Sequence, residues 1–287
     1  MALRGSLPQF VVIGAAKAAT TWIQVQLQAN PAIYMPDPEP HFFTREYDLG
    51  EQHYRRWFEA APPEATLIGE KSADYLADPA VPSRLAAMLP DARLVLQLRD
   101  PVERAYSDYK MYYRRGLARE APETYLRTPE NDYPRFLLEG LYGQHLRNWL
   151  DYFPKEQILA FRFEEVKVRP RAIVEMVSRH IGIEPFFDQA LAEKSENDSK
   201  ARILPLPVRT LLAPLKKTVK PLRGRTWFEG ARSLLAREIA YPPLSDELRA
   251  HLADFYRDDM ALAETMLGID LSDWRRKHEQ GAKAKAA

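Results

Sequence analysis

The first apolar run of the chain, Phe10-Val-Val-Ile13, is rich in β-branched residues and predicts a strand. Gly14-Ala-Ala-Lys17-Ala18-Ala19-Thr20-Thr21 follows, and then a segment from Trp22 to Gln28. Alternation there fits a strand as well as a helix, but the small-residue loop before it and Asn30-Pro31 after it favour a helix. Ala32 to Met35 predicts a short strand. The stretch Pro36-Asp-Pro-Glu-Pro-His-Phe-Phe43 holds too many prolines for regular structure and places Glu39 and His41 in a rigid loop. Tyr54, Trp57, Phe58 and Ala61 recur at helical spacing, which predicts an amphipathic helix from Glu51 to Ala61. Thr66 to Gly69 reads as a strand with Glu70, Lys71 and Ser72 at its end, and a proline-bounded helix covers Val81 to Leu89.

Ala92 to Leu98 is the clearest buried strand. Asp100-Pro-Val-Glu103 then supplies an N-cap, a proline at the first helical position and an N3 glutamate, and the helix it opens should run to Arg115 and stop at Gly116. Residues 117–131 read as a polar loop, 136–153 as one helix, Ile158 to Phe163 as a strand and Arg169 to Ile181 as a helix. Strands alternating with helices predict an α/β, three-layer fold with a central parallel sheet flanked by helices. After about 190 the pattern breaks into a polar stretch, a basic proline-rich region to 242, a final helix from Leu244 to Leu267 and a short tail.

Composition narrows the chemistry. The 287 residues are 46% hydrophobic, enough for one large core, and carry a net charge of +1. No overall field recruits nucleic acid, so an anion site must be local. There is no cysteine, which excludes disulfides, thiolate metal sites and a cysteine nucleophile. No run approaches the roughly 20 apolar residues of a membrane span. We expect no nucleic-acid partner, no transmembrane segment and a cytoplasmic protein. Oligomeric state is left open.

In a parallel sheet, ligands bind at the carboxyl ends of the strands. The polar groups placed there are Lys17, Thr20 and Thr21 after the first strand, Glu39 and His41 after the second, Glu70 and Lys71 after the third, and Arg99 after the fourth. The first loop resembles a P-loop without its full glycine pattern: a strand, small residues, a lysine, hydroxyls and a helix N-terminus, where unpaired amides and the helix dipole favour an anion. Arg99, with Ser107 two turns into the next helix, makes a second anion site, since a guanidinium grips phosphate in two places.

With those residues in view, the chain resembles the sulfotransferases that use 3'-phosphoadenosine-5'-phosphosulfate (PAPS), in the branch of the heparan sulfate sulfotransferases and their bacterial relatives. Gly14 to Thr21 is similar to the 5'-phosphosulfate loop, and Leu98-Arg-Asp-Pro-Val-Glu-Arg-Ala-Tyr-Ser107 to the 3'-phosphate motif. Glu39-Pro-His-Phe-Phe43 is similar to the segment bearing that branch's catalytic glutamate, and Gly69-Glu-Lys71-Ser to its second active-site lysine. The resemblance implies one P-loop-like sulfotransferase domain over 1–280: a cofactor-binding core at about 8–185, a lid or substrate region at about 194–243, a C-terminal helix at about 244–276, and a disordered tail at 281–287. It implies PAPS as donor, 3'-phosphoadenosine-5'-phosphate (PAP) as product and no metal.

The roles implied are Glu39 as general base with His41 as its rival, Lys17 and Lys71 as electrostatic stabilisers, and Lys17, Ala18, Ala19, Thr20, Thr21, Trp22, Arg99 and Ser107 as donor contacts. Lys200 and Arg202 would add contacts from a covering loop, and Glu70 would orient Lys71. The acceptor would be a carbohydrate or small molecule with a hydroxyl or amine. The family loop usually has glycine where Ala19 stands. Alanine does not adopt positive φ cheaply, so ordinary helical geometry is expected at Ala19. The alternative is a P-loop kinase using ATP and Mg²⁺, which needs a metal-binding aspartate at a strand end; Asp100 is displaced from that position by Arg99.

Overall fold

The computed structural model describes residues 6–195 and 239–276. Lys200, Arg202, all but the last few residues of the basic region 205–242, and the tail at 281–287 lie outside the described residues. Five parallel strands, β1 (Phe10–Gly14), β2 (Ile33–Tyr34), β3 (Leu67–Lys71), β4 (Arg93–Leu98) and β5 (Ile158–Arg162), form one sheet in the order β2-β3-β1-β4-β5. The expected parallel sheet is present, with the earliest strand at its centre. Among the described residues no helix is long and apolar enough to cross a membrane.

Side chains on a strand alternate between faces, and here the two faces feed two cores. Val11, Ile13, Leu94, Leu96 and Leu98 pack into the larger one with α4 (Pro101–Arg115), α7 (Tyr142–Leu150) and the C-terminal helix, α11 (Asp246–Leu267). Phe10, Val12 and Val95 pack into the smaller one, under α1 (Thr20–Gln28) and α9 (Pro170–Ile181).

Several expectations are corrected. The 136–153 segment is two helices, α6 (Arg135–Leu138) and α7, because Gly140 sits against Tyr256 and a Cβ there would come within 2.8 Å of its ring. Tertiary packing overrides the continuous apolar spacing. The presumed loop at 117–131 contains α5 (Pro122–Leu126), which buries Tyr125 and Leu126. The helix expected to reach Ala61 is α2 (Glu51–Arg56), continued by turns that still bury Phe58 and Ala61. β5 passes directly into an unexpected helix, α8 (Phe163–Val168).

α4 follows its sequence signals. The Asp100 carboxylate accepts from the amides of Val102 and Glu103, and Gly116 closes the helix in the left-handed conformation. Its inner face carries a fully buried pair, Arg104 and Asp108, with nitrogen and oxygen 3.6 Å apart. Arg104 also donates to the Phe136 carbonyl, and Asp108 lies 3.3 Å from Arg135 Nε. These contacts fix the helix rotation, so Ser107 and Lys110 look toward the carboxyl edge of the sheet.

Gly69 pairs with Phe10 across β1 and β3, and the Phe10 ring occupies the space a side chain at 69 would need. Gly69→Ala is expected to overpack this contact and cost roughly 1–3 kcal/mol. Thermal and denaturant melting check it; a variant as stable as the parent contradicts the packing described.

Candidate active site

The loop after β1 departs most from sequence expectation. Ala19 has φ 62° and ψ 36°, and Lys17 has φ 70°, so both are left-handed and the helical geometry expected at Ala19 is not adopted. Such a conformation costs an L-residue about 1–2 kcal/mol. Tertiary hydrogen bonds hold it: Gln97 Nε2 donates to the Ala18 carbonyl at 2.5 Å, and Arg99 Nη1 to the Lys17 carbonyl at 3.0 Å. β4 thus pins the loop that β1 delivers. Ala18 is buried and contributes that carbonyl, Thr20 is buried, and Thr21 is exposed at the start of α1.

A cavity of about 910 Å³ opens beside this loop. Its lining comes from the carboxyl ends of three strands: Lys17, Ala19 and Trp22 after β1, Arg99, Ser107 and Lys110 after β4, and Phe163 and Lys167 after β5. The two anion motifs therefore share one space. Four cations and one carboxylate, Glu193, line it. Burial pushes the Lys17 ammonium below the usual lysine value; Asp108 opposes this, and the nearby Arg99, Arg115 and Arg114 reinforce it. Lys110 is lowered by burial and then by Arg99. Lys17 Nζ donates to the Met111 thioether at 3.5 Å, a weak acceptor. Arg99 lies over the Phe163 ring, 5.1 Å from its centroid. Cations held at mutual cost against such poor partners suit an anionic ligand.

Sequence reasoning missed Lys110, Phe163 and Lys167. Lys110 is one helical turn from Ser107 on the same face, so i to i+3 spacing could have found it. Phe163 and Lys167 had no such signal, because α8 was not expected. The aspartate needed by the kinase alternative is committed elsewhere, since Asp100 caps α4.

A second cluster lies at the ends of β2 and β3. Lys71 is 2% exposed, and its Nζ is 2.6 Å from Glu39 Oε1 and 3.5 Å from Thr21 Oγ1. It therefore bridges the carboxylate and the first turn of α1. The Ala73 amide donates to Glu39 Oε2 at 3.0 Å. His41 Nε2 is 4.0 Å from Glu39 Oε2, and its backbone N–H donates to Ser72 Oγ.

Glu70 does not orient Lys71. Neighbouring residues on a strand point to opposite faces, and Glu70 points into the larger core. There it accepts from Tyr54 Oη at 2.7 Å and lies 3.4 Å from both Ser72 Oγ and Tyr75 Oη. Burial pushes its carboxyl up to about 7, against the pull of the three hydroxyl donors. A carboxyl raised on folding stabilises below its unfolded value and loses that contribution as pH rises through the folded one. The stability of the parent relative to Glu70→Gln is therefore expected to fall by roughly 2–3 kcal/mol between about pH 5 and pH 8. Denaturant melts of both proteins across that range check it; parallel curves contradict the assignment.

A family model described as "Sulfotransferase domain" matches residues 7–199. The bifunctional heparan sulfate N-deacetylase/N-sulfotransferase 2 of Bos taurus is 27% identical over 298 residues, covering 96% of this chain and 31% of its own length. The corresponding enzyme 3 of Mus musculus is 28% identical over 300 residues, covering 96% and 32%. The chain thus spans about a third of the length of the curated relatives it matches. The crystal structure of a sulfotransferase from Alicyclobacillus acidocaldarius superposes with a TM-score of 0.69 at 23% identity, covering 94% of this chain and 99% of that one, and shows the same fold. With the family model covering well over half of its length, the chain belongs to the sulfotransferase domain family.

Proposed function

We propose that the protein transfers a sulfuryl group from PAPS to a hydroxyl or amine of a carbohydrate or small-molecule acceptor. The observation that carries this reading is the single cavity into which two separated anion motifs bring Lys17, Arg99 and Ser107. A ligand with phosphates at two distant positions suits it better than a linear triphosphate. The first turn of α1, Lys17, Ala18, Ala19, Thr20 and Thr21 would hold the 5' end, with Trp22 beside it. Arg99 and Ser107 would hold the 3'-phosphate, and Lys110 stands on the same helix face to share that charge.

PAPS would supply the sulfuryl group and leave as PAP. Lys17 and Lys71 offer positive charge where the departing phosphate gains negative charge, which favours the transition state over the ground state. Glu39 serves as the base: its carboxylate is fixed by Lys71 and the Ala73 amide, so orientation is settled before an acceptor arrives. Carbohydrate acceptors are suggested by the heparan sulfate enzymes to which the chain is similar. A radiolabelled-sulfate screen over polysaccharides, glycolipids and small hydroxylated metabolites identifies the acceptor.

Glu39→Gln keeps one oxygen, for either Lys71 or the Ala73 amide, and removes the base. It is expected to bind PAP within about twofold of the parent and to lose on the order of 10²–10⁴ in turnover. Calorimetry with PAP and labelled transfer from PAPS measure the two. A parent that fails to bind PAP contradicts the function, and unchanged turnover in the variant contradicts the base.

A further inference from the structure

His41 is held at its ring and at its backbone. Its ring Nδ1 is 2.8 Å from Asp74 Oδ1, while Nε2 faces Glu39 Oε2 at 4.0 Å. Asp74 is itself fixed: the Thr44 hydroxyl lies 3.1 Å from its other oxygen, and Arg45 Nη2 is 3.5 Å from that same atom. The backbone of His41 is left-handed, with φ 52°, and is tied through its N–H to Ser72. Among the described residues, three non-glycine positions have positive φ, namely Lys17, Ala19 and His41, and all three are in the candidate site. Unfavourable backbone of this kind persists where the surroundings over-determine it.

A carboxylate accepts only. The atom between His41 and Asp74 is therefore a hydrogen on Nδ1. In the neutral ring this leaves Nε2, 4.0 Å from Glu39 Oε2, with a lone pair. Glu39 in turn receives Lys71 and the Ala73 amide, and both contacts are made to its ionised form. A protonated Glu39 loses part of each, so passing the proton onward restores them.

We propose that Asp74 is a positioning residue that sets the His41 tautomer, and that His41 receives through Nε2 the proton Glu39 takes from the acceptor. This rests on the sulfotransferase reading above for the source of the proton. The acceptor O–H or N–H bond breaks, its electron pair stays on the attacking atom, and the proton moves to a Glu39 oxygen and then to Nε2. The imidazolium formed is balanced by the Asp74 carboxylate. No further reactant is needed. Catalytic hydrogen bonds often tighten from a separation such as this 4.0 Å only when substrate is bound.

The test uses the full chain labelled with nitrogen-15 histidine, with the His41 signals assigned by their loss in His41→Gln. With spectra taken at a pH where the ring is neutral, the expected result is a hydrogen on Nδ1, and redistribution toward the Nε2–H form in Asp74→Ala. Asp74→Asn turns its single oxygen to the Thr44 and Arg45 donors and its NH2 to Nδ1, and should likewise shift the ring toward the Nε2–H form. Sulfate release from labelled PAPS with water as acceptor supplies the kinetic arm. There Asp74→Ala should lose about 10-fold or more in kcat, as removal of proton-transfer assistance does, with PAP affinity unchanged. An Nε2–H tautomer in the parent, a tautomer indifferent to Asp74→Ala, or an unchanged kcat in that variant overturns the proposal. A parent that neither binds PAP nor releases sulfate overturns the sulfotransferase reading instead, and the tautomer still decides the role of Asp74.

Discussion

Like charges gathered in a partly desolvated space repel, and the candidate site is built against that cost. Lys17, Arg99 and Lys110 line one cavity, and burial and mutual repulsion together depress both lysines. Rigid elements keep them there. The Lys17 carbonyl is gripped by Arg99, the Ala18 carbonyl by Gln97, and α4 is locked in rotation by the buried Arg104–Asp108 pair. A protein that holds cations together before a ligand arrives has met much of the ordering cost of binding an anion in advance.

The parity of β3 divides the site's carboxylates into two kinds. Lys71 faces α1 and meets Glu39, close to solvent and to the loop. Glu70, one residue earlier, faces the aromatic core and is raised to about 7 by burial. The carboxylate proposed as base is thus the partly exposed one borne on a loop. The buried one ties Tyr54, Ser72 and Tyr75 into the floor beneath His41, whose amide rests on Ser72.

Legibility in the sequence followed how local each signal was. α4 could be read end to end because its aspartate cap, proline, N3 glutamate and terminal glycine all lie within it. The parallel sheet followed from alternating apolar runs. Lys17, Arg99, Ser107, Glu39 and Lys71 are the candidates that strand ends and spaced motifs mark in the sequence. What failed depended on contacts distant in sequence. The break at Gly140 is dictated by Tyr256, the left-handed Ala19 by hydrogen bonds from β4, and the orientation of Glu70 by strand register. Asp74 carries no local mark; its proximity to His41 appears only when β2 and β3 lie side by side.

The proposed donor site is a clamp with two anion ends, the α1 loop and the Arg99–Ser107 pair. The most direct measurement compares, by calorimetry on the full chain, the affinity of PAP with that of adenosine 5'-monophosphate, which lacks the 3'-phosphate. PAP is expected to bind on the order of 10- to 100-fold more tightly, the worth of one charge-assisted phosphate contact, and Arg99→Ala to remove most of the difference. Equal affinity for the two nucleotides in the parent protein would contradict it.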